Sequence, residues 1–390
     1  MSASLLNHVR DAAGEIADGA RQTDRTGRLR PEAIAALVEI GVFRMMTPAG
    51  FGGLESTPSE AFDVVRIVSR ACTSTGWVAA TLMVNSWQVG LFDERAQSDV
   101  WNSGPDSLVA SSYQHTGQLC PHGDGYRLSG QWRFVSGLAE SDWVFVGALI
   151  LNQAGDPVEH GLALVPRADV EMTDATECVG LRAAANADVR MTDVPVPAYR
   201  VYRTSRRNVR ASRRGSLSRS SLYRHSLASL FSTALTVPLI GAAEAAYAAL
   251  IAQLQDAPTD TLTAGTGSGQ ERVAAAVGRC AAEIDQAVML LDRNTRELEV
   301  IAATTRDTPV ELQARARRDQ VLAGELALTV VERLVRLGGR ACLSTDSPVQ
   351  RAWRDVHVGC SHRVNDLEPM LAVFGRSEMG RDIEEELVFL

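Results

Sequence analysis

The stretch GYRLSGQWRFVSG, residues 125–137, decides how the middle of this chain folds. It follows the turn signal Asp124-Gly125 and then alternates with the two-residue period of a β-strand. This alternation predicts that Trp132, Phe134 and Ser136 project from one face of the strand. Two rings and a hydroxyl would form a flat platform for a planar heteroaromatic cofactor. An ordinary strand with aromatic core residues fits the same pattern.

The hydrophobic pattern divides the chain into a strand-rich middle part, which contains this stretch, and two helical parts on either side. Residues 1–107 are predicted to be helical, with a capping box at 57–60 that opens one helix. Residues 108–205 contain short apolar runs of strand length, bounded by Gly, Pro and Asp. Residues 206–390 return to the helical period after a connector. The sequence therefore predicts an α+β chain with an N-terminal helical domain, a central β-sandwich or small barrel, and C-terminal helices.

Composition excludes several classes of function. The net charge of −8 argues against general nucleic-acid binding. Six cysteines without a CxxC pair indicate reduced thiols in a cytosolic protein. The polar N-terminus is not a signal peptide, and the apolar residues 232–252 favour a core helix over a membrane span. We therefore predict a cytoplasmic protein without a membrane partner.

Few residues have the pattern of a catalytic or metal site. The histidines other than His357 and His362 are isolated, so no metal site is predicted. No phosphate-binding loop is present. A capping box at 347–350 opens a helix that is predicted to carry Asp355 and His362 on one face. A carboxylate there would raise the basicity of His362 and make it a general acid or base. A histidine at an interface or in the core is the alternative.

The order of helical domain, β domain and helical domain resembles the acyl-CoA dehydrogenase fold. The motif GVFR at 41–44, the glycines at 52–53, Gly338-Gly339 and Arg354-Asp355 are similar to signatures of that family. The resemblance implies that the C-terminal domain is a four-helix bundle.

Further motifs resemble one branch, the two-component flavin-dependent monooxygenases that hydroxylate aromatic compounds, such as the p-hydroxyphenylacetate hydroxylase oxygenase. These motifs lie at residues 76–78, 86–88, 129–137, 221–224 and 238–244. Many dehydrogenases of this fold instead carry a catalytic glutamate in a Tyr-Glu-Gly-Thr motif after the Arg-Asp pair. Here that region reads SHRV, residues 361–364, without a carboxylate. An acyl-CoA dehydrogenase acting on a thioester is the alternative, and a non-catalytic flavin-fold protein is a third.

The resemblance implies a mechanism and a set of site residues. A separate NAD(P)H-dependent flavin reductase would supply reduced FAD or FMN, and O2 would form a flavin hydroperoxide that hydroxylates a phenol or indole-type substrate. His362 and Ser136 would be catalytic, and relatives are commonly homotetramers. The implied cofactor-binding residues are Trp132, Phe134, Ser136, Ser111, Ser112, Arg272, Gly338 and Gly339. The implied substrate-binding residues are Asn85, Trp87 and His362. The basic connector from Arg200 to Arg224 would be a solvated linker, or a contact to flavin phosphates or to a neighbouring subunit.

Overall fold

The computed structural model describes residues 3–175, 177–184, 187–205, 220–256, 267–304, 308–383 and 386–387. Within these residues the chain forms ten α-helices and one sheet, in the predicted order of helices, strands and helices. The change from helix to strand falls between Trp101 and Val109, and the last strand ends at Arg203. The division into three domains at 107 and 205 itself stays a prediction.

Five helices form the N-terminal part: α1 Ala3–Thr26, α2 Pro31–Ile40, α3 Pro58–Ala71, α4 Thr73–Val89 and α5 Glu94–Trp101. The predicted capping box opens α3, because the Thr57 side chain accepts from the Glu60 N–H and Glu60 accepts from the Thr57 N–H. Every residue of α4 is buried. This helix therefore lies at the centre of the protein, between the other helices and the sheet.

The central part is a single sheet of seven strands: β1 Val109–His122, β2 Gly125–Val135, β3 Trp143–Leu151, β4 Pro157–Pro166, β5 Glu171–Ala175, β6 Ala187–Pro197 and β7 Val201–Arg203. Their order is β5-β6-β2-β1-β3-β4-β7, with only β1 and β3 parallel. These strands form the predicted β domain, and β1 joins both halves into one mixed sheet. It pairs with β2 and β3 and shifts register between Ser112 and Gly117.

Five further helices follow: α6 Leu227–Asp256, α7 Gly267–Ala303, α8 Val310–Cys342, α9 Pro348–Cys360 and α10 Leu367–Glu378. The first four pack as the expected bundle, and α10 lies against α8. By length and composition α6 could cross a membrane, but 67% of its most apolar window is buried in the protein. It packs against α3, α4, α8 and α9, as predicted for a core helix.

Helix α8 is broken near its end, at Gly339. Gly339 has a φ of 55° and a ψ of −142°, a backbone conformation that favours glycine. Most of the basic connector, residues 206–219, lies outside the described residues. At its described ends Arg200 pairs with Asp99, and Arg224 donates to the Ala302 carbonyl.

Candidate functional site

The platform predicted on β2 is not formed. Trp132 is fully buried, and its indole N–H donates to the carbonyls of Gln114 (3.1 Å) and Gly147 (2.8 Å). Phe134 is instead 43% exposed. The pairing of β2 with β6 shifts register between Trp132 and Val135, and Phe134 has a φ of 58°. This bulge breaks the alternation, so that the two rings no longer share a face.

A buried carboxylate holds the bulge in place. Asp188 accepts from the backbone N–H of Phe134 at 3.2 Å and from Arg133 Nε at 3.3 Å. The Arg133 guanidinium lies 5.0 Å from the centre of the Phe134 ring. Ser136 follows directly and is buried. The exposed ring of Phe134 and the buried Ser136 therefore lie two residues apart at the end of β2.

One tryptophan of α4 joins the sheet to the helical bundle. Trp77 Nε1 donates to Ser136 Oγ at 3.3 Å, and its ring centre lies 6.1 Å from that of His362. The rings of Phe231 and His362 are 6.2 Å apart, and those of Phe231 and Tyr113 are 4.6 Å apart. The predicted catalytic pair Ser136 and His362 thus lies on either side of one indole, in an aromatic surrounding.

His362 does not lie on the helix that was predicted to carry it. Helix α9 ends at Cys360, and His362 begins the short turn 363–365. Asp355 does not share a face with it, because its carboxylate accepts from the Leu181 N–H at 2.6 Å. The helix stops because the Asn365 side chain donates to the Gly359 carbonyl at 2.9 Å, which ends the helical pattern there. The prediction of an Asp355–His362 pair is therefore wrong.

The His362 ring is neutral at physiological pH. The His362 residue is exposed by its accessible surface, but the protein packed around the ring desolvates it and lowers its pKa to about 4. Nδ1 accepts from the Val364 N–H at 3.2 Å. In the neutral ring the hydrogen then resides on Nε2.

The two residues of α4 predicted to bind substrate differ in their contacts. Trp87 has no exposed surface, and its indole N–H donates to the Leu222 carbonyl at 3.0 Å. It is packed as a core residue, and a substrate contact of Trp87 stays a prediction. Asn85 donates to the Val109 carbonyl at 2.8 Å, while its buried Oδ1 has no hydrogen-bond partner among the described residues. A substrate contact of Asn85 stays a prediction.

The remaining predicted residues fall into two groups. Ser111 and Ser112 are buried on β1, directly before its register shift. Arg272 is exposed near the start of α7, and Gly338 packs against Cys342 and Leu250 at the end of α8. The contacts that join Trp77, Ser136 and His362 do not include Arg272, Gly338 or Gly339. Their predicted role at the flavin phosphates is not tested within one chain.

Sequence reasoning assigned no role to Trp77, Phe231, Tyr113 or Asp188. Trp77 had a signal, because it lies in the motif at residues 76–78 and a buried indole N–H needs an acceptor. Phe231 and Tyr113 had none, since aromatic residues on helices and strands are ordinary core residues. Asp188 could not be found either, because its partner on β2 becomes visible only with the pairing of the strands.

A flavin would fit the residues at the end of β2. Ser136 Oγ accepts from Trp77, and its hydroxyl hydrogen has no acceptor among the described residues. That hydrogen is available to a ring nitrogen such as flavin N5, beside the exposed ring of Phe134. In the described part of the chain no group of three His, Cys, Asp or Glu could hold a metal ion.

Comparison with known proteins agrees with this geometry. Family models described as acyl-CoA dehydrogenase N-terminal domain and C-terminal domain match residues 3–101 and 233–367. The chain is 33% identical to the flavin-dependent monooxygenase, oxygenase subunit HsaA, of Mycobacterium tuberculosis (strain ATCC 25618 / H37Rv), over 97% of this chain and 95% of that protein. A crystal structure of that monooxygenase matches with a TM-score of 0.91 and 32% identity, over 97% of this chain and 98% of the other.

A second relative is a hydroxylase. The FADH(2)-dependent resorcinol hydroxylase, oxygenase component, of Rhizobium sp. (strain MTP-10005) is 30% identical over 96% of this chain and 94% of its own. These matches span nearly the whole of each protein and carry the same fold. The chain therefore belongs to the flavin-dependent monooxygenases of the acyl-CoA dehydrogenase fold.

Proposed function

We propose that this chain is the oxygenase component of a two-component monooxygenase that hydroxylates a small aromatic compound of the phenol or indole type. The observation that carries the proposal is the contact of Trp77 with both Ser136 and His362. It brings a hydroxyl and an imidazole together around one indole, beside the rings of Phe231 and Tyr113. The names of relatives as oxygenase subunit or component support a separate flavin reductase as partner.

Phe134 and Ser136 would hold the flavin ring, with Ser111 and Ser112 of the neighbouring β1 at its edge. A bound reduced flavin supplies the electrons with which O2 is divided between a hydroxylated product and water. Ser136 would donate its hydroxyl hydrogen to the ring and fix its position. Trp77 in turn fixes Ser136, because its N–H occupies an acceptor position of the serine oxygen.

The aromatic wall would exclude water and bind a flat substrate. Tyr113 and Phe231 lie next to each other, and Phe231 lies next to His362. Water excluded from such a cavity cannot compete for the activated oxygen. His362 would hydrogen-bond to an oxygen of the substrate. Asn85 bonds to Val109, two residues from Ser111, so that its unpaired acceptor lies on the β1 side.

The geometry disfavours the dehydrogenase alternative. That reaction needs a carboxylate that removes a proton from the substrate. The turn that follows α9 carries His362, and its next carboxylate, Asp366, is exposed. Asp355 is bound to the Leu181 N–H instead. An acyl thioester that reduces the bound flavin without oxygen would support the alternative.

We further propose a cytoplasmic homotetramer. Arg272, Gly338 and Gly339 are candidate contacts of the flavin phosphates, and the contacts that join Trp77, Ser136 and His362 do not include them. A neighbouring subunit would place them there. Light scattering should give four chains, and Arg272→Ala should weaken flavin binding without lowering the thermal stability, since Arg272 is exposed.

The test is a comparison of Ser136→Ala with Ser129→Ala. Both serines belong to the same segment, but Ser129 is exposed on β2. Each protein would receive anaerobically reduced FAD or FMN and then oxygen with a panel of phenols and indoles. We expect the wild type and Ser129→Ala to form hydroxylated product. Ser136→Ala should lose about tenfold or more of the product per O2, in line with loss of one positioned donor. Equal yields from both variants would contradict the role of Ser136, and no product with any flavin would contradict the proposed function.

A further inference from the structure

Helix α8 carries a buried cation that the proposed function does not use. The side chain of Arg317 is 4% exposed. It forms no ion pair with an acidic residue of the described chain, and burial lowers its pKa to about 10. A buried charge without a counter-charge is costly, so its hydrogen bonds must hold it.

These hydrogen bonds have a fixed direction. Arg317 can only donate, and its Nη1 donates to Gln320 Oε1. The Gln320 amide is therefore oriented with Nε2 away from the arginine, where it donates to Asn365 Oδ1 at 2.6 Å. Asn365 Nδ2 then donates to the Gly359 carbonyl at 2.9 Å. Three hydrogen bonds that run in the same donor-to-acceptor direction thus connect Arg317 to the end of α9. We call them the chain of donors.

A second bond leads from the same guanidinium to the turn of His362. Arg317 Nη2 donates to the Val364 carbonyl at 3.2 Å, and the Val364 N–H donates to His362 Nδ1 at 3.2 Å. Thr236 of α6 also bonds to Asn365 Oδ1 at 2.8 Å. Side chains of α6 and α8 therefore bond to the turn at Val364 and at Asn365.

We propose that Arg317 is a positioning residue that holds His362 in the Nε2–H tautomer, so that the ring offers a hydrogen-bond donor to the cavity rather than a base. With Nδ1 occupied by a backbone N–H, the Nε2–H is the group left for a ligand. It fits an oxygen atom of a substrate, such as a phenol or phenolate oxygen. The inference deepens the proposed function and rests on it for the identity of the ligand, but the tautomer itself needs no flavin.

The test uses nitrogen NMR of the flavin-free protein labelled in histidine. The chain has seven histidines, and the signal of His362 is assigned by its loss in His362→Gln. The two ring nitrogens of a neutral histidine have well-separated shifts that identify which one carries the hydrogen. We expect the Nε2–H form at pH 7.5 in the wild type. A charged ring or the Nδ1–H form at that pH would overturn the proposal.

Variants test the role of Arg317. Arg317→Met keeps much of the volume but removes every donor, and should change the tautomer ratio roughly three- to tenfold, as expected for loss of a hydrogen bond. Arg317→Lys should restore much of the wild-type ratio. Arg318→Met is the matched control, because the neighbouring arginine pairs with Asp319 and lies over Phe374, outside the chain of donors. An unchanged ratio in folded Arg317→Met would overturn the proposal.

A second variant covers the case in which Arg317→Met does not fold. Gln320→Glu is close in shape and still accepts from Arg317, but its ionised side chain cannot donate to Asn365. It should shift the tautomer ratio in the same direction as Arg317→Met, and an unchanged ratio would count against the chain of donors. Flavin binding and product formation are measured separately. Failure of hydroxylation with an intact Nε2–H signal would contradict the proposed function and leave this inference standing.

Discussion

The two ends of the candidate site, the end of β2 and the turn of His362, are held in different ways. At the sheet end, Phe134 lies on a bulge and is partly exposed, and the carboxylate of Asp188 fixes its backbone. At the bundle end, a turn carries His362, and buried side chains of α6 and α8 bond to that turn. The sheet end presents a ring face that a flat ligand can cover. The bundle end presents one hydrogen-bonding atom in a fixed direction.

The largest effect should separate the two aromatic residues of β2. Trp132→Ala removes a fully buried side chain with two hydrogen bonds and should cost about 3–5 kcal/mol in the free energy of unfolding. Phe134→Ala should change that free energy by less than about 1 kcal/mol, because the ring is half exposed. It should instead weaken the binding of reduced flavin.

Urea unfolding and flavin titration check this pair. Equal stability losses in the two variants would show that the bulge does not separate the two rings. A Phe134→Ala protein with unchanged flavin affinity would remove the ring from the cofactor site.

The next effect concerns the indole that joins the two ends. Trp77→Phe keeps an aromatic ring but removes the N–H that bonds to Ser136. Product formed per O2 consumed should fall about tenfold, because the serine loses the partner that orients it. Trp87→Phe is the matched control, since its N–H bonds to the Leu222 carbonyl in the core. If the control loses as much product as Trp77→Phe, the effect is one of packing and not of the site.

A pH-dependent effect is expected where the bundle meets the sheet. Burial raises the pKa of Asp355 to about 6, although the Leu181 N–H opposes the shift. The folded protein then binds this proton more tightly than the unfolded chain, whose carboxyl has a pKa of about 3.9. The resulting stability is present below about pH 4 and is lost as the pH rises through 6.

Asp355→Asn cannot ionise and should lack this contribution. Relative to the variant, the wild type should lose about 1–1.5 kcal/mol of unfolding free energy between pH 5 and pH 7.5. Urea unfolding at both pH values measures it, with Asp366→Asn as the control because that side chain is exposed. A constant difference between wild type and Asp355→Asn across this range would show that the carboxyl has an ordinary pKa.

Much of the fold could be predicted because its signals are local. The capping box at Thr57 and Glu60 and the glycine at 339 mark helix ends within a few residues of sequence. The union of the strands into one sheet could not be predicted. It depends on the register shift of β1 between Ser112 and Gly117, which no residue pattern indicates.

For the candidate site, the sequence indicated the identity of two residues but not the contacts that surround them. Ser136 and His362 were predicted to be catalytic by resemblance to the family, and the structure places both against Trp77. Their catalytic role stays a prediction. Their surroundings were not predicted, because strand alternation ends at the bulge after Trp132 and helical spacing ends at Cys360. The partners of the His362 turn come from Thr236 and Gln320, which are 129 and 45 residues from Asn365 along the chain. Such contacts are set by helix packing, which the sequence pattern does not specify.

The smallest effect should come from the carboxylate that holds the bulge. Asp188→Asn keeps an acceptor for the Phe134 N–H and loses only the pair with Arg133, whose side chain is 59% exposed. An exposed pair is worth little, so stability should change by less than about 1 kcal/mol and flavin affinity by less than about twofold. Asp188→Ala removes the acceptor as well, and flavin affinity should fall roughly three- to tenfold while water replaces the lost bond. Flavin titration of both variants measures the difference. If Asp188→Asn and Asp188→Ala weaken flavin binding equally, the charge of Asp188 and not its bond to the Phe134 N–H holds the sheet end. The two ends of the site would then not differ in the way described above.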